Sequence, residues 1–303
     1  MKNPLISVLI SSYNHENFIE DCIKSIWKQN YQNIEILVID DNSSDKTYEI
    51  LKELKKISPY PMYISKNKEN QGISTNLNKL INKAKGNIIS FMSSDDSFCN
   101  FNIFNKIPLI FEENNKIKVI YTEGLLWDGN NTFGKAQGKL ESKLIKEKNY
   151  NKLYHYMITN VPLLLIQGSF MKKEFLIEIG GFDEELIADD WVLNIKILKK
   201  LLEKNYDIIF LDEITFLYRQ HENNSIKKRD YLLKLILEVI EKYTPEIEKR
   251  TFLANIYWGH GSFLLKHGKI KEGFKYLLKS QKESLSFFRI LKSFFKLIKN
   301  YKI

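Results

Sequence analysis

Three pairs of adjacent carboxylates stand out in the chain: Asp40-Asp41, Asp95-Asp96 and Asp189-Asp190. Two ionised carboxylates side by side repel, so each pair is costly unless a cation or hydrogen-bond donors compensate it. A divalent metal would do so, since Mg²⁺ and Mn²⁺ take oxygen ligands and leave positions open for phosphate. For any single pair the plainer reading is turn and helix-cap chemistry after a strand. Three pairs at points expected to converge favour a site.

The elements that must position these pairs repeat one pattern. Residues 5–10 (LISVLI), 34–39 (IEILVI) and 87–92 (NIISFM) are buried-strand runs, with a shorter one at 62–64. Between them, residues 18–27, 45–56 and 74–84 carry helical spacing, and Gly86 suits the stop of the last helix. This alternation predicts an α/β fold with a mainly parallel sheet and helices on both faces. Ligands bind such sheets beyond the carboxyl ends of the strands. Ser11 to Asn14, Asp40 to Ser43 and Ser93 to Asp96 all fall there.

Further along, residues 119–127 read as a strand and 133–148 as a Lys-rich mobile loop. Residues 180–183 read as a turn, 189–202 as a helix and 207–218 as two short strands. After residue 226 the pattern is helical, with a hairpin over 256–280 turning at Gly268. Two domains are expected: residues 1–225 and a helical region, residues 226–303.

Composition excludes several classes. With 44% hydrophobic residues in 303, the chain can bury a large core, which rules out disorder as its main state. The turn after the first strand is Ser-Ser-Tyr-Asn-His, without the G-x-G-x-x-G of a dinucleotide site, and no Walker A sequence occurs. The net charge is +9, but residues 226–303 hold 18 basic against 7 acidic residues while the rest is near neutral. Only four basic residues are Arg (Arg219, Arg229, Arg250 and Arg289), which argues against nucleic-acid reading, and no nucleic-acid partner is expected. Cys22 and Cys99 have no metal-ligand spacing and fit a reducing compartment. The N-terminus lacks the apolar core of a signal peptide, and no run is long and apolar enough to span a membrane. A cytoplasmic location is expected.

The runs at residues 7–14 (SVLISSYN), 25–29 (SIWKQ) and 35–47 (EILVIDDNSSDKT) resemble the opening of the bacterial family 2 glycosyltransferases. Asn70-Gln71-Gly72, Lys85-Gly86, the Ser-Ser-Asp-Asp at 93–96, Gly180-Gly181-Phe182-Asp183-Glu184, Ala188-Asp189-Asp190-Trp191 and Tyr218-Arg219-Gln220-His221 continue the resemblance in order. It covers about residues 5–224. It implies the GT-A fold of nucleotide-diphospho-sugar transferases, and an inverting, metal-dependent transfer of a sugar from a nucleotide donor, UDP-linked by expectation. The acceptor would be a hydroxyl of a bacterial surface glycan or lipid-linked oligosaccharide.

By the same resemblance, Ser11, Tyr13 and Asp41 hold the nucleotide, with Asp41 accepting from a uracil-type N–H and Tyr13 lying against the ring. Asp95 approaches the ribose. Asp96 ligates a divalent metal (Mn²⁺ or Mg²⁺) that bridges the diphosphate, with His221 as a further metal or phosphate contact. Asp190 is the general base. Three departures bear on these roles. Ser93 stands where many relatives have the first Asp of Asp-x-Asp-Asp, and Leu77 where they often have Arg. Asp189 replaces the usual Glu of a Glu-Asp pair, which makes it the rival base. The alternative from another class is a non-catalytic scaffold on a degenerate transferase fold.

Residues 287–301 read independently as an amphipathic helix. Phe287, Phe288, Phe294, Phe295 and Tyr301 lie on one half of the wheel, and Arg289, Lys292, Lys296 and Lys299 on a separate arc. It is expected either to dock on an anionic membrane surface, placing the protein on the cytoplasmic face of the inner membrane, or to pack on the protein's own hairpin.

Overall fold

The computed structural model describes residues 3–222 and 228–284. The chain divides into two compact units: Met1–Tyr154 with Pro162–Glu222, and His155–Val161 with Asn223–Ile303.

The first unit opens with β1 (Ile6–Ser12), α1 (Ile19–Trp27), β2 (Ile34–Asp40), α2 (Thr47–Ile57), β3 (Met62–Lys66), α3 (Ile73–Lys83) and β4 (Ile88–Phe91). The four strands are parallel in the order β3-β2-β1-β4. β1 and β2 are buried almost throughout, on both faces, as strands covered by helices must be. α1 meets them with Ile19, Cys22, Ile23 and Ile26, at the i, i+3, i+4, i+7 positions of one helix face. Each such side chain fully buried contributes about 1.5–3 kcal/mol. Ser12 pairs with Asp40 at the last rung, so the two strands end flush. The turns beyond them start at Asn14 and Asn42, with φ of 53° and 65°, a left-handed conformation that Asn tolerates better than most residues.

The chain continues through β5 (Ser97–Phe98), α4 (Ile103–Glu113), β6 (Ile117–Trp127), β7 (Thr132–Lys135), α5 (Lys139–Lys146), α6 (Tyr150–Thr159), β8 (Phe170–Lys172), α7 (Lys173–Glu178), α8 (Asp190–Lys204) and β9 (Asp207–Arg219). The sheet extends past β4 as β8-β6-β9-β5, with β7 beside β6. β8 is antiparallel to β4 and β6, whereas β9 runs parallel to β6. The expected parallel sheet is therefore the first half of a larger, mixed one.

Three readings change. Residues 133–148 are not a mobile loop: β7 pairs with β6, and α5 buries Leu144 and Ile145. Short-range polarity hid this, because Gln137 and Glu141 are polar but buried and hydrogen-bonded. Residues 207–218 form one strand rather than two; register shifts against β6 bend it, and Asp212-Glu213 mark the bend in sequence. Gly86 does not cap α3 with a left-handed residue. A Cβ there would come within 2.5 Å of the Leu5 carbonyl oxygen and the Ser7 hydroxyl, so glycine is required by close approach to β1.

The second unit contains α9 (Arg229–Tyr243), α10 (Glu246–Lys266) and α11 (Ile270–Ser284). Gly268, at φ 77°, makes the expected turn between α10 and α11. The two helices touch through glycine: a Cβ on Gly261 would lie 2.8 Å from the Gly273 carbonyl oxygen. Thr244 donates from Oγ1 to the Ile158 carbonyl at 2.6 Å, which ties residues 155–161 into this unit. Among the described residues no helix is long and apolar enough to cross a membrane. The expected amphipathic helix at 287–301 lies outside the described residues.

Candidate active site

The acidic turn at 93–96 lies between β4 and β5, and β5 pairs with the end of β9. That pairing delivers Arg219 to the turn. Its backbone N–H donates to Asp96 Oδ1 at 2.8 Å, and its Nε donates to the Asp95 carbonyl at 2.8 Å. The guanidinium lies over the Trp127 ring at 4.0 Å and near the Phe18 ring at 4.9 Å, and donates to Asp21 Oδ2 at 3.0 Å. The sequence named Arg219 only as part of a motif; its role as the clamp of the acidic turn is visible only in three dimensions.

Asp96 is completely buried, and its Oδ2 has no hydrogen-bond partner among the described residues. Burial pushes its carboxyl well above the usual carboxylate range. The Asp95 charge adds to this, and the Arg219 amide opposes it. Asp95 behaves oppositely. Burial pushes it up, but the hydrogen bond with His221 and the His15 charge outweigh that and leave it below the ordinary value. Neighbouring carboxylates are thus driven apart, a recurrent feature of functional sites.

His221, just beyond β9, places Nε2 2.9 Å from Asp95 Oδ2. His15, in the turn after β1, completes a group that the sequence reading missed. Donor atoms of His15, Asp95 and His221 all lie within 4.8 Å of one another. A mixed imidazole and carboxylate set fits a divalent metal, and the unbonded buried oxygen of Asp96 beside it fits a site that expects positive charge. Of the two expected ligands, His221 belongs to this cluster and Asp96 does not. Ser93, where many relatives carry an Asp, is tied to the segment before β8 instead: its hydroxyl accepts from Gln167 Nε2 at 2.8 Å.

Asp189 and Asp190 open α8. Asp189 accepts from the Asp190 amide at 2.7 Å, which makes it the N-cap. The Asp190 carboxylate accepts from the Ile166 amide at 3.2 Å. Burial pushes Asp190 well above the usual range, the Asp189 charge pushes the same way, and the Ile166 amide only partly offsets them. Asp190 in turn raises Asp96, so the two loop ends face one another electrostatically. Residues 163–167 form the link between them. Gln167 bonds Ser93 while Gln137 brackets Leu165, accepting its N–H at 2.8 Å and donating to its carbonyl at 3.0 Å.

Asp41, Ser11 and Tyr13 lie at the ends of β1 and β2. Asp41 is buried and accepts three bonds, from the Gln71 amide at 2.8 Å, the Gly72 amide at 2.9 Å and Asn67 Nδ2 at 2.8 Å. It therefore holds the Asn-Gln-Gly turn against β2. Asn76 bonds both sides of this corner: its Nδ2 donates to the Ser11 hydroxyl at 3.1 Å, and its Oδ1 accepts from Asn67 Nδ2 at 2.7 Å. Tyr13 is 48% exposed and offers an open ring face. Leu77 is buried in α3, so the position where relatives often carry Arg is a packing residue here.

Residues 7–120 match the family described as Glycosyl transferase family 2. That region of the chain is a family 2 glycosyl transferase domain. It is 30% identical to the glycosyltransferase GlyA of Streptococcus pneumoniae over 71% of this chain and 30% of the relative. It is 26% identical to the GalNAc(5)-diNAcBac-PP-undecaprenol beta-1,3-glucosyltransferase of Campylobacter jejuni, over 72% of this chain and 66% of that one. The chain thus spans less than two thirds of the length of these curated relatives. The crystal structure of Staphylococcus aureus TarS 1–349 with UDP-GlcNAc superposes with a TM-score of 0.61 at 21% identity, over 91% of this chain and 79% of that one. That likeness establishes the GT-A fold.

Proposed function

We propose that this family 2 glycosyltransferase moves a sugar from a nucleoside-diphospho-sugar to a hydroxyl of a glycan or lipid-linked oligosaccharide acceptor, with inversion at the anomeric carbon. The observation that carries this reading is the placement of Asp96 and Asp190 at the ends of separate elements, near enough for the Asp190 charge to raise Asp96, with both carboxyls raised by burial and by a neighbouring charge. A carboxylate whose affinity for protons is raised by burial is a better general base than an exposed one.

Asp190 takes the proton of the acceptor hydroxyl while its oxygen attacks the anomeric carbon and the bond to the diphosphate breaks. A single in-line displacement of this kind inverts the configuration. Ser11 and Tyr13 bind the nucleotide, the exposed Tyr13 ring lying on the base. Asp41 Oδ2 accepts only the Gly72 amide among the bonds described, so it retains capacity for a base N–H. A divalent ion held at Asp95 and His221, with the unpartnered Asp96 oxygen beside them, would supply positive charge against the departing diphosphate.

Two similar proteins support the substrate class: one is the GalNAc(5)-diNAcBac-PP-undecaprenol glucosyltransferase, and the TarS structure holds UDP-GlcNAc. The test is a screen of nucleotide sugars for release of nucleoside diphosphate, with and without a chelator. UDP-sugars are expected to be cleaved in a divalent-dependent way. If no nucleotide sugar is turned over with any glycan or lipid-linked acceptor, the reading falls.

A further inference from the structure

Helix α3 makes two sets of contacts on different sides. One set holds the nucleotide corner. The Gly72 amide, at the start of the helix, donates to Asp41 Oδ2 at 2.9 Å, and Asn76 Nδ2 donates to the Ser11 hydroxyl at 3.1 Å. The other set grips the turn at residues 180–184. Asn78 binds both backbone groups of Phe182: its Oδ1 accepts the N–H at 2.8 Å and its Nδ2 donates to the carbonyl at 3.1 Å. The same Nδ2 donates to Glu184 Oε1 at 2.7 Å, and Thr75 Oγ1 donates to Glu184 Oε2 at 3.0 Å. Residues 75 and 78 share one helix face, and 72 and 76 share the neighbouring one.

The approach is close, since a Cβ on Gly181 would collide with Asn78 Oδ1. The turn is tied to two further elements. Lys196 of α8 donates from Nζ to the Gly180 and Gly181 carbonyls. Phe182 is buried and meets Phe91, at the end of β4, edge-on at 5.5 Å between centroids. From this turn the chain runs to Asp189 and Asp190 at the start of α8.

We propose that Asn78 is a positioning residue: with Thr75 and Glu184 it fastens the 180–184 turn to the helix that holds the nucleotide corner, and so sets Asp190 against the bound donor. A side-chain amide that bonds both backbone groups of one residue fixes that residue as a neighbouring strand would. Placement of this kind matters to rate, because a misplacement of about 1 Å can cost on the order of 10²-fold. The inference deepens the glycosyl-transfer reading and rests on it for the use of Asp190, while the clamp itself requires no substrate.

The test compares the full chain with Asn78→Asp, Glu184→Gln and the double variant. Asn78→Asp keeps an acceptor for the Phe182 amide but loses the donor and sets a second carboxylate against Glu184. Adding Glu184→Gln returns a donor to the pair. The readouts are UDP affinity by calorimetry, kcat and donor KM for the UDP-sugar that wild type cleaves, and hydrogen exchange of residues 180–190 without ligand. Asn78→Asp is expected to lower kcat ~10- to 100-fold with UDP affinity and donor KM within about twofold of wild type. Exchange over 180–190 should quicken while β1 and β2 stay protected. The double variant should recover most of kcat, as coupled partners do. UDP affinity falling as far as kcat, a folded Asn78→Asp with wild-type kcat or wild-type exchange, or a double variant no better than Asn78→Asp would overturn the proposal. Thr75→Val, which removes one of the bonds to Glu184, carries the test in the same direction if Asn78→Asp melts without a cooperative transition. Quickened exchange in the variant of a protein that cleaves no nucleotide sugar would remove the transferase reading and leave the clamp standing.

Discussion

Asp190 is half-buried beside a second carboxylate, and the Ile166 amide that it faces does not offset the loss of solvation. Its raised folded pKa has two consequences of defined sign. As a base it must be ionised, so kcat/KM should fall as pH drops through a value above the ordinary carboxylate range. As a contributor to stability it acts in reverse. Its contribution is full below the unfolded carboxylate pKa and is lost as pH rises through the raised folded value. Asp190→Asn should therefore lower kcat by about 10²–10⁴ with little change in donor affinity. It should also raise Tm at pH 8, where a gain of 1 kcal/mol is worth roughly 2–4 °C in a domain of this size. Kinetics of both variants decide between the neighbours: if Asp189→Asn loses the turnover and Asp190→Asn keeps it, the base is Asp189. Asp96→Asn preserves the acceptor for the Arg219 amide, so it should stay folded while losing divalent-dependent turnover. Full activity of that variant would remove Asp96 from the site.

The link between β4 and α8 is a device at the scale of elements. The side chain of Gln137, just before α5, makes three bonds: to the Thr122 carbonyl at 3.2 Å and to both backbone groups of Leu165. Leu165 precedes Ile166, whose amide faces Asp190. Gln137→Leu would leave buried backbone groups unpaired, at about 1–3 kcal/mol. A lower urea midpoint together with a lower kcat at unchanged donor KM is the expected result. A stability loss with unchanged kcat would show that the segment only packs. Gly86→Ala tests a different element. The new Cβ would push on the Leu5 carbonyl, and overpacking of this kind costs about 1–3 kcal/mol, read as a shift in denaturation midpoint.

Over the whole molecule, charge is divided as the chain is. The basic excess belongs to residues 226–303, and the acidic strand-end site belongs to the other unit. Attachment to an anionic membrane surface through residues 287–301 would bring a lipid-linked acceptor to the enzyme, each Lys or Arg adding about 1 kcal/mol near the leaflet. Deleting residues 286–303 should abolish sedimentation with anionic liposomes at low salt while donor hydrolysis persists. Equal sedimentation of both forms, or none of the full chain, would reject the membrane role.

The first half of the sheet was legible in residue order because its information is local. Short, largely apolar runs such as 34–39, closed by turn residues, read as strands buried on two faces, and the polar residues that end them mark the ligand edge. The three acidic pairs and His221 were found on that basis and from the motif order. Other features were decided by tertiary structure alone. His15 looks like an ordinary loop histidine until β9 brings His221 to it, and Arg219 acquires its two carboxyl-turn contacts only through the pairing of β5 with β9. Residues 133–148 read as a loop because Gln137 and Glu141 are polar, yet both are buried where distant backbone groups satisfy them. A hydrogen bond between residues far apart in the chain leaves no periodicity in the sequence, so only the fold reveals it.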